Sequence, residues 1–350
     1  MNTMKSVVLE EPNKLALKDC PVPKPGPTDV LIRIKSAAIC HTDFFTLRGE
    51  YPGCKYPTVL GHEFSGIVQQ CGVGVVNVKP GDFVTCPSFA FCGTCSYCRR
   101  GLENGCPNML AIPFDINGAY QEMLCMPAAA VFKFDNSLTF NEASLTEPAA
   151  NAFSAVDRGG IQVGEHVAVI GPGPIGLLCV QFAKLKQPST LTLLGTRDER
   201  LAVGAKTGAT DTVNVRQADP VETIMKITKD HGVDIVILCA GANDAWDLSH
   251  RILADVYGRI IIEAVPDTAD TKWPAAAFDL TGKHMSYLGV RGYTAAQFGS
   301  ALRLMEEKKV DAASVISHTF PLEDYADAFE TSDKRLDGAV KVVIEVGDFI

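Results

Sequence analysis

Between residues 92 and 106 the chain contains four cysteines separated by short gaps. Two-residue gaps let successive thiolates turn back onto one ion, and a longer loop brings in the last ligand. Four thiolates satisfy a tetrahedral zinc ion completely, which is typical of a structural site. An iron–sulfur cluster or unrelated loop thiols are the alternatives, but a second zinc-like motif upstream favours zinc. The predicted ligands follow the pattern C-x2-C-x2-C-x7-C and are Cys92, Cys95, Cys98 and Cys106.

A second set of potential metal ligands lies upstream of this quartet. Cys40, His62 and Glu63 offer one thiolate, one imidazole and one carboxylate. Three protein ligands leave a fourth position for water or substrate, as a catalytic zinc ion requires. Together the two sets predict about two zinc ions per chain, one structural and one catalytic.

A glycine-rich turn of the form G-x-G-x-x-G follows an apolar run and precedes a helical pattern. The first glycine makes the turn, the second lets the backbone approach a pyrophosphate, and the third permits close helix–strand packing. The positive end of the helix then faces the negative charge. This context predicts a dinucleotide site at Gly171, Gly173, Pro174, Ile175 and Gly176.

The residues that end the next strand indicate which dinucleotide is bound. An NAD enzyme usually has an acidic residue there, which bonds the ribose 2′-hydroxyl. This chain instead reads Gly195-Thr196-Arg197-Asp198. A carboxylate would repel a 2′-phosphate, whereas a small residue, a hydroxyl and an arginine would accept it, so NADP is favoured. In the alternative, Arg197 is a solvated surface charge and Asp198 holds the ribose of NAD.

The elements that must position these residues fall into two patterns. Up to about residue 150, short apolar runs alternate with turns, which predicts a β-rich, barrel-like domain. Beyond it, continuous apolar strands alternate with helices, which predicts a parallel sheet covered on both faces. The predicted strands are Val30–Ile34, Gly66–Gln69, Phe83–Cys86, Val167–Ile170, Leu191–Leu194, Val233–Cys239, Arg259–Ala264, Met285–Val290 and Ala339–Val346. The predicted helices are Ile175–Leu185, Asp198–Thr207 and Thr294–Val310.

Composition excludes several other classes. A chain of 350 residues is too long for one small core, so two domains are expected. The net charge of −9 and the lack of Lys/Arg blocks argue against a zinc module that binds nucleic acid. The chain shows no apolar run fit for a signal peptide or a membrane span, so we expect a cytoplasmic enzyme with no membrane partner. Clustered cysteines then favour metal over disulfides.

The frame Gly61-His62-Glu63-x2-Gly66-x5-Gly72-x2-Val75 resembles the zinc signature of the medium-chain alcohol dehydrogenase family, in particular its sorbitol and polyol branch. The segment around Cys40, the cysteine quartet and the glycine turn recur in that family in the same order. The resemblance extends to the segments 318–323 and 338–341. It implies an α/β fold, with a GroES-like β-rich catalytic domain at 1–151 and 291–350. A doubly wound Rossmann domain is then expected at 152–290.

The resemblance also implies catalytic roles. Cys40, His62 and Glu63 would surround the catalytic zinc, and Glu147 matches a carboxylate that the polyol branch places at or near it. Alternatively, Glu147 is a helix N-terminal carboxylate stabilised by the helix dipole. Thr42 would take the proton of the substrate hydroxyl. Many relatives have a relay histidine where this chain has Phe45, so water or the cofactor ribose would have to complete the proton path.

Further cofactor contacts are implied at His41, toward the pyrophosphate, and at Val265, Gly289 and Arg291. Arg291, whose alternative role is a plain surface charge, joins Glu147 in favouring a polyol, sugar acid or ketose. A pocket lined by Phe44, Phe45 and Phe114 would instead suit a less polar alcohol.

The expected activity is hydride transfer between a secondary alcohol or polyol, or its ketone, and NADP(H). NAD-dependent polyol or sugar-acid oxidation is the alternative. Quinone reductases and non-catalytic NADPH-binding proteins share the fold, but they lack the zinc ligands found here. As in relatives, a homodimer or homotetramer is expected.

Overall fold

The computed structural model describes residues 3–51, 53–265 and 272–347. The chain divides into two compact units. Unit 1 comprises Met1–Ala150 and Tyr293–Ile350, and unit 2 comprises Asn151–Gly292. Within the described ranges, no helix is long and apolar enough to cross a membrane.

Unit 1 is built mainly from antiparallel strands. Its strands are β1 (Thr3–Glu11), β2 (Lys14–Pro21), β3 (Asp29–Ala38), β4 (Thr58–Val59), β5 (Glu63–Cys71), β6 (Phe83–Thr85), β7 (Phe89–Ala90), β8 (Leu110–Ala111), β9 (Met123–Pro127), β10 (Phe132–Lys133), β17 (Ile316–Pro321) and β18 (Lys341–Glu345). Its helices are α1 (His41–Leu47), α2 (Phe140–Ser144), the start of α3 (Thr146–Gly159), α9 (Ala295–Glu306) and α10 (Tyr325–Lys334).

The largest sheet of unit 1 has seven strands and joins both ends of the chain. Its order is β10-β6-β5-β3-β18-β17, with β9 also paired to β3. The strands β3 and β5 are antiparallel, and Gly66 on β5 lies opposite Ile34. A Cβ at Gly66 would lie 2.2 Å from the carbonyl oxygen of Arg33, so only glycine fits this crossing. The buried core of the sheet includes Ile32, Phe64 and Ile344.

The strands β5 and β18 both pair with the end of β3. At its end, Ala38 pairs with Glu63 on β5 and with Val343 on β18. Because β18 runs antiparallel to β3, Lys341 lies beyond Ala38, in the direction of residues 39 and 40. The amide of Ile39 donates to the carbonyl of Val342 over 2.9 Å, which extends this pairing toward Cys40.

Unit 2 alternates strands and helices. The strands are β11 (His166–Ile170), β12 (Thr190–Gly195), β13 (Asp211–Asn214), β14 (Ile235–Leu238), β15 (Arg259–Ile262) and β16 (Ser286–Gly289). The helices are the remainder of α3, α4 (Pro174–Lys184), α5 (Asp198–Thr207), α6 (Pro220–Thr228), α7 (Asn243–Ile252) and α8 (Ala277–Thr281).

The sheet of unit 2 has six strands in the order β13-β12-β11-β14-β15-β16, and its strand pairs are all parallel. This is the doubly wound order of dinucleotide-binding folds. The prediction of a β-rich domain combined with a Rossmann domain is confirmed.

Some element boundaries differ from those predicted. Helix α9 ends at Glu306, before the predicted end at Val310, because Lys308 adopts a left-handed backbone with φ of 54°. The hairpin of β1 and β2 and the helix α10 were not predicted.

Candidate active site and metal centres

The cysteine quartet lies in the loop between β7 and β8. Its four sulfur atoms all lie within 4.8 Å of one another. The sulfur of Cys106 is 3.5 Å from that of Cys92, which is 4.0 Å from that of Cys98. Zinc–sulfur bonds of about 2.3 Å in a tetrahedron place the sulfurs about 3.8 Å apart, so the quartet fits a zinc ion. All twelve cysteines lie in the described ranges and are free thiols.

The loop favours ionised sulfur at one position. The backbone amides of Thr94 and Cys95 donate to the Cys92 sulfur and lower its pKa to about 5. Burial and the neighbouring thiols raise the pKa of Cys98 to about 12. Neighbouring sulfurs therefore have very different pKa values. A bound divalent cation would remove this difference, because it stabilises all four sulfurs as thiolates.

We expect Cys95→Ser to remove one zinc ion per chain and to leave the other. A serine hydroxyl does not replace a thiolate on zinc at neutral pH, so the remaining three sulfurs hold the ion weakly. Elemental analysis of the purified variant measures the loss. Cys54→Ser is the matched control, since Cys54 lies outside both sets of ligands and should keep both ions. A Cys95→Ser protein with unchanged zinc content would contradict the assignment.

The second set of ligands meets where α1 and β5 begin. Cys40 immediately precedes α1, and Glu63 is the first residue of β5. The ligand atoms of Cys40, His62 and Glu63 all lie within 4.8 Å of one another. His62 is 9% exposed and Glu63 is 1% exposed, so bulk water does not compete for them. A thiolate, an imidazole and a carboxylate form a suitable donor set for catalytic zinc.

The ring of His62 is oriented by Asp43. The Nδ1 atom of His62 lies 3.5 Å from Oδ1 of Asp43, which leaves Nε2 as the nitrogen that can bind metal. The hydroxyl of Thr42 lies 3.3 Å from that Nε2 atom. Burial lowers the pKa of His62, but the charges of Cys40 and Asp43 outweigh it and leave this pKa well above the ordinary value. With its oxygen 3.3 Å from Nε2, the hydroxyl of Thr42 lies next to the nitrogen that is the candidate metal ligand.

Asp43 is itself tightly held, and its role was not predicted. It accepts hydrogen bonds from the amide of Cys40 at 3.0 Å, the amide of Gly61 at 3.3 Å and the phenol of Tyr120 at 2.7 Å. Burial alone would raise the pKa of Asp43, but His62 and the donors of Cys40 and Tyr120 lower it. The position of Asp43 in the first turn of α1, three residues after Cys40, was the available sequence signal.

Glu63 has a buried cationic partner that the sequence analysis also missed. The Nζ atom of Lys341 donates to Oε1 of Glu63 at 2.8 Å and to the carbonyl of Ile39 at 3.0 Å. Oε2 of Glu63 lies 2.7 Å from the same Nζ atom, but not in the geometry of a hydrogen bond. Burial lowers the pKa of Lys341, yet Glu63 and Cys40 outweigh it and raise this pKa, so the ammonium stays charged. Because Oε2 accepts no hydrogen bond, it is the oxygen of Glu63 that is better placed to bind a metal ion.

Glu147 lies near this set but not within it. It occupies the first turn of α3, and its carboxylate is outside the group of mutually close ligand atoms. Burial raises the pKa of Glu63, Lys341 opposes this and the charge of Glu147 adds to it, so the two carboxylates are neighbours. Oε1 of Glu147 accepts hydrogen bonds from the hydroxyls of Ser88 and Tyr293. Whether Glu147 binds metal stays a prediction.

His41, which was predicted to contact the cofactor pyrophosphate, and Phe45, which replaces the relay histidine of many relatives, both lie on α1. His41 is the exposed first residue of that helix, and its ring contacts the ring of Phe45 edge to face, with centroids 5.1 Å apart. The guanidinium carbon of Arg48 lies 5.3 Å from the centroid of Phe45. Phe45 therefore has an aromatic and cationic environment, and it carries no group that could accept a proton.

Within unit 2 the predicted cofactor residues lie at one edge of the parallel sheet. They follow or end the strands at their carboxyl ends, where doubly wound folds bind nucleotides. Gly171 has φ of 108°, and a Cβ at Gly176 would lie 1.9 Å from the carbonyl oxygen of Gly171. A Cβ at Gly173 would meet no atom within 4 Å, which leaves room for a ligand at the start of α4. The set is Gly171, Gly173, Pro174, Ile175 and Gly176 after β11, Gly195, Thr196 and Arg197 at β12, Val265 after β15, and Gly289 and Arg291 at β16.

At the end of β12 there is no room for an acidic side chain at Gly195, the position that is usually acidic in NAD enzymes. A Cβ at Gly195 would lie 2.4 Å from Cγ of Pro172. Asp198 is held by the amides of Asn214 at 2.7 Å and Gln217 at 2.8 Å, one on each carboxylate oxygen. Those two hydrogen bonds lower the pKa of Asp198.

Comparisons with known proteins agree with this architecture. Residues 26–136 match the alcohol dehydrogenase GroES-like domain, and residues 174–307 match the zinc-binding dehydrogenase domain. L-threonine 3-dehydrogenase of Bacillus velezensis is 34% identical over 335 residues, which is 93% of this chain and 94% of that protein. Sorbitol dehydrogenase of Halalkalibacterium halodurans is 29% identical, over 94% of this chain and 95% of that protein.

A solved structure extends the similarity to three dimensions. A protein of Sinorhizobium meliloti 1021, described as a zinc-binding dehydrogenase and bound to NADP, has a TM-score of 0.92 and 31% identity. The match covers 99% of this chain and 100% of that one. The chain is a zinc-dependent oxidoreductase by class. It belongs to the medium-chain alcohol dehydrogenase family, among the relatives that include threonine and polyol dehydrogenases.

Proposed function

We propose that this protein transfers a hydride between NADP(H) and a secondary alcohol or polyol, or the corresponding ketone. The observation that carries the proposal is the buried set of Cys40, His62 and Glu63 with the Thr42 hydroxyl beside it. When bound there, zinc would supply a Lewis acid that polarises the substrate oxygen, and the nicotinamide would exchange the hydride.

The residues of the chain supply orientation and a route for the proton. Thr42 can hydrogen-bond to the substrate hydroxyl and accept its proton at Oγ1, 3.3 Å from Nε2 of His62, while it gives up its own hydroxyl proton. Asp43 keeps the ring of His62 in one orientation, so that Nε2 faces the reaction. Because Phe45 cannot carry a proton, Thr42 must pass it to another acceptor, such as water.

The preference for NADP rests on charge and space in unit 2. Gly195 cannot be replaced by an acidic residue without moving Pro172, and Asp198 is held by Asn214 and Gln217. Arg197 is the N-cap residue that precedes α5 and is half-buried, and a guanidinium there suits the 2′-phosphate of NADP. The NADP-bound relative from Sinorhizobium meliloti supports the same choice.

The substrate class is tested with a panel of polyols, sugar acids, L-threonine and simple secondary alcohols, each with NAD and with NADP. We expect NADP-dependent turnover with a polyol or secondary alcohol, and its loss when zinc is removed. L-threonine belongs in the panel because it is a secondary alcohol and the substrate named for a relative at 34% identity. A protein that binds NADPH and two zinc ions but turns over no compound would overturn the proposal.

Arg197→Ala is expected to raise KM for NADP by about 10- to 100-fold, because a charge-assisted hydrogen bond contributes about 1.5–3 kcal/mol. KM for NAD should change by less than about threefold, since NAD carries no phosphate at that position. Steady-state kinetics with both cofactors measure the difference. Arg303→Ala is the control, because that side chain is 69% exposed on α9 of unit 1. Equal effects on both cofactors would refute this role of Arg197.

A further inference from the structure

Glu147 is held by two hydroxyl groups from distant parts of unit 1. Ser88 lies between β6 and β7, and Tyr293 directly precedes Thr294, which caps α9. The exposed fractions are 3% for Ser88, 5% for Glu147 and 0% for Tyr293. Burial of three polar side chains costs free energy unless they form hydrogen bonds. The hydrogen bonds among these three side chains therefore explain how they can be buried together.

Both hydroxyls donate to the same carboxylate oxygen. The Oγ atom of Ser88 donates to Oε1 of Glu147 at 2.9 Å, and the phenol of Tyr293 donates to it at 3.0 Å. The backbone amide of Ser88 donates to the phenol oxygen at 3.0 Å. Because that amide is fixed by the backbone, it fixes the phenol, which in turn fixes the carboxylate.

This arrangement makes the two oxygens of Glu147 unequal. A carboxylate oxygen has about two lone-pair sites, and both sites on Oε1 are used by Ser88 and Tyr293. A metal ion could take Oε1 only by displacing a buried hydroxyl and leaving it without its acceptor. A cation that binds Glu147 through Oε2 leaves both of these hydrogen bonds intact.

We infer that Ser88 and Tyr293 are positioning residues that hold Glu147 so that it offers the catalytic zinc, or a ligand on it, a single oxygen. The inference rests on the proposed function, because it requires a metal at Cys40, His62 and Glu63. The contrast with Glu63 supports it. Glu63 is paired with the ammonium of Lys341, whereas Oε1 of Glu147 accepts hydrogen bonds from two neutral hydroxyls, which orient its carboxylate.

The test uses the full-length protein with zinc in the quartet and Co(II) in the catalytic site. We expect Tyr293→Phe to weaken the affinity of the catalytic site for Co(II) by about 10- to 100-fold, as is usual for hydrogen-bond partners of metal ligands. The visible absorption of bound Co(II) should also shift, because the carboxylate is no longer fixed. Ser88→Ala should act in the same direction. Tyr325→Phe is the control, since its phenol donates to the carbonyl of Leu15, which belongs to neither set of ligands.

A double-mutant cycle separates positioning from general structural damage. In a Glu147→Gln background, Tyr293→Phe should change the Co(II) affinity by less than about threefold, because the carboxylate it positions is gone. If Tyr293→Phe weakens Co(II) binding equally in both backgrounds, the inference is overturned. It is also overturned if Tyr293→Phe and Ser88→Ala both bind Co(II) as tightly as the wild type does. If Tyr293→Phe fails to fold, Ser88→Ala carries the same cycle.

Failure of the proposed metal site, on which the proposed function depends, gives a different result. In that case the wild-type protein itself binds no metal beyond the quartet, and Cys40→Ser leaves its metal content unchanged. A wild-type protein that binds Co(II) at Cys40 but ignores the loss of both hydroxyls refutes only the positioning role.

Discussion

Cys40→Ser is expected to lower kcat by about 10³-fold or more, because loss of a Lewis acid removes several kcal/mol of transition-state stabilisation. The thiolate of Cys40 is one of three candidate ligands within 4.8 Å of one another, and two remaining ligands hold zinc poorly. Zinc content should fall by about one ion per chain. Binding of the dinucleotide should be preserved, because its predicted contacts lie largely in unit 2. Steady-state kinetics, elemental analysis and a fluorescence titration with NADPH measure the three quantities.

The matched control for this variant is Cys20→Ser. Cys20 is half-buried on β2 and belongs to neither set of ligands, so the same chemical change there should leave kcat and zinc content unaltered. Turnover by Cys40→Ser within about threefold of the wild type would show that Cys40 does not hold a catalytic metal. Loss of NADPH binding together with activity would instead point to misfolding.

Lys341→Met is expected to lower the melting temperature of the metal-free protein by about 6–20 °C. Lys341 is 4% exposed and Glu63 is 1% exposed, so the variant leaves a carboxylate buried without its counter-ion. Breaking such a pair costs about 3–5 kcal/mol, and each kcal/mol corresponds to about 2–4 °C in a unit of this size. Methionine keeps most of the volume of the lysine stem, so the loss reports charge rather than packing.

Two comparisons make this prediction specific. The double variant Glu63→Gln with Lys341→Met should recover most of the lost stability, because it removes both charges. Zinc should also stabilise Lys341→Met more than it stabilises the wild type, since the cation replaces the missing ammonium beside Glu63. Thermal unfolding with a chelator and with zinc measures both effects. An equal loss in the Glu63→Gln background would show that Lys341 acts through packing alone.

The two buried carboxylates thus play different electrostatic roles. Glu63 faces a permanent cation, while Glu147 faces two hydroxyl dipoles and the amide end of α3. Burial and, after it, the charge of Glu147 raise the pKa of Glu63, and a divalent ion bound to Glu63 would oppose both effects.

The parts of this protein that could be predicted from the sequence alone are those in which residues close along the chain act together. The quartet from Cys92 to Cys106 and the turn from Gly171 to Gly176 each lie within one short segment. Their chemistry follows from ligand spacing or from glycine backbone geometry, both of which can be read without knowing the fold. The alternation of strands and helices in unit 2 was likewise local, and the parallel sheet was confirmed.

Tertiary structure alone decided which distant side chains surround these groups. Lys341 lies 278 residues from Glu63, and Tyr293 lies 146 residues from Glu147. Hydrophobic patterning predicted a strand near Lys341, but the neighbours of that strand and its register depend on pairing across the whole sheet. Because β18 and the start of β5 both pair with the end of β3, a buried ammonium faces the candidate metal ligand. No local pattern in the chain carries that information.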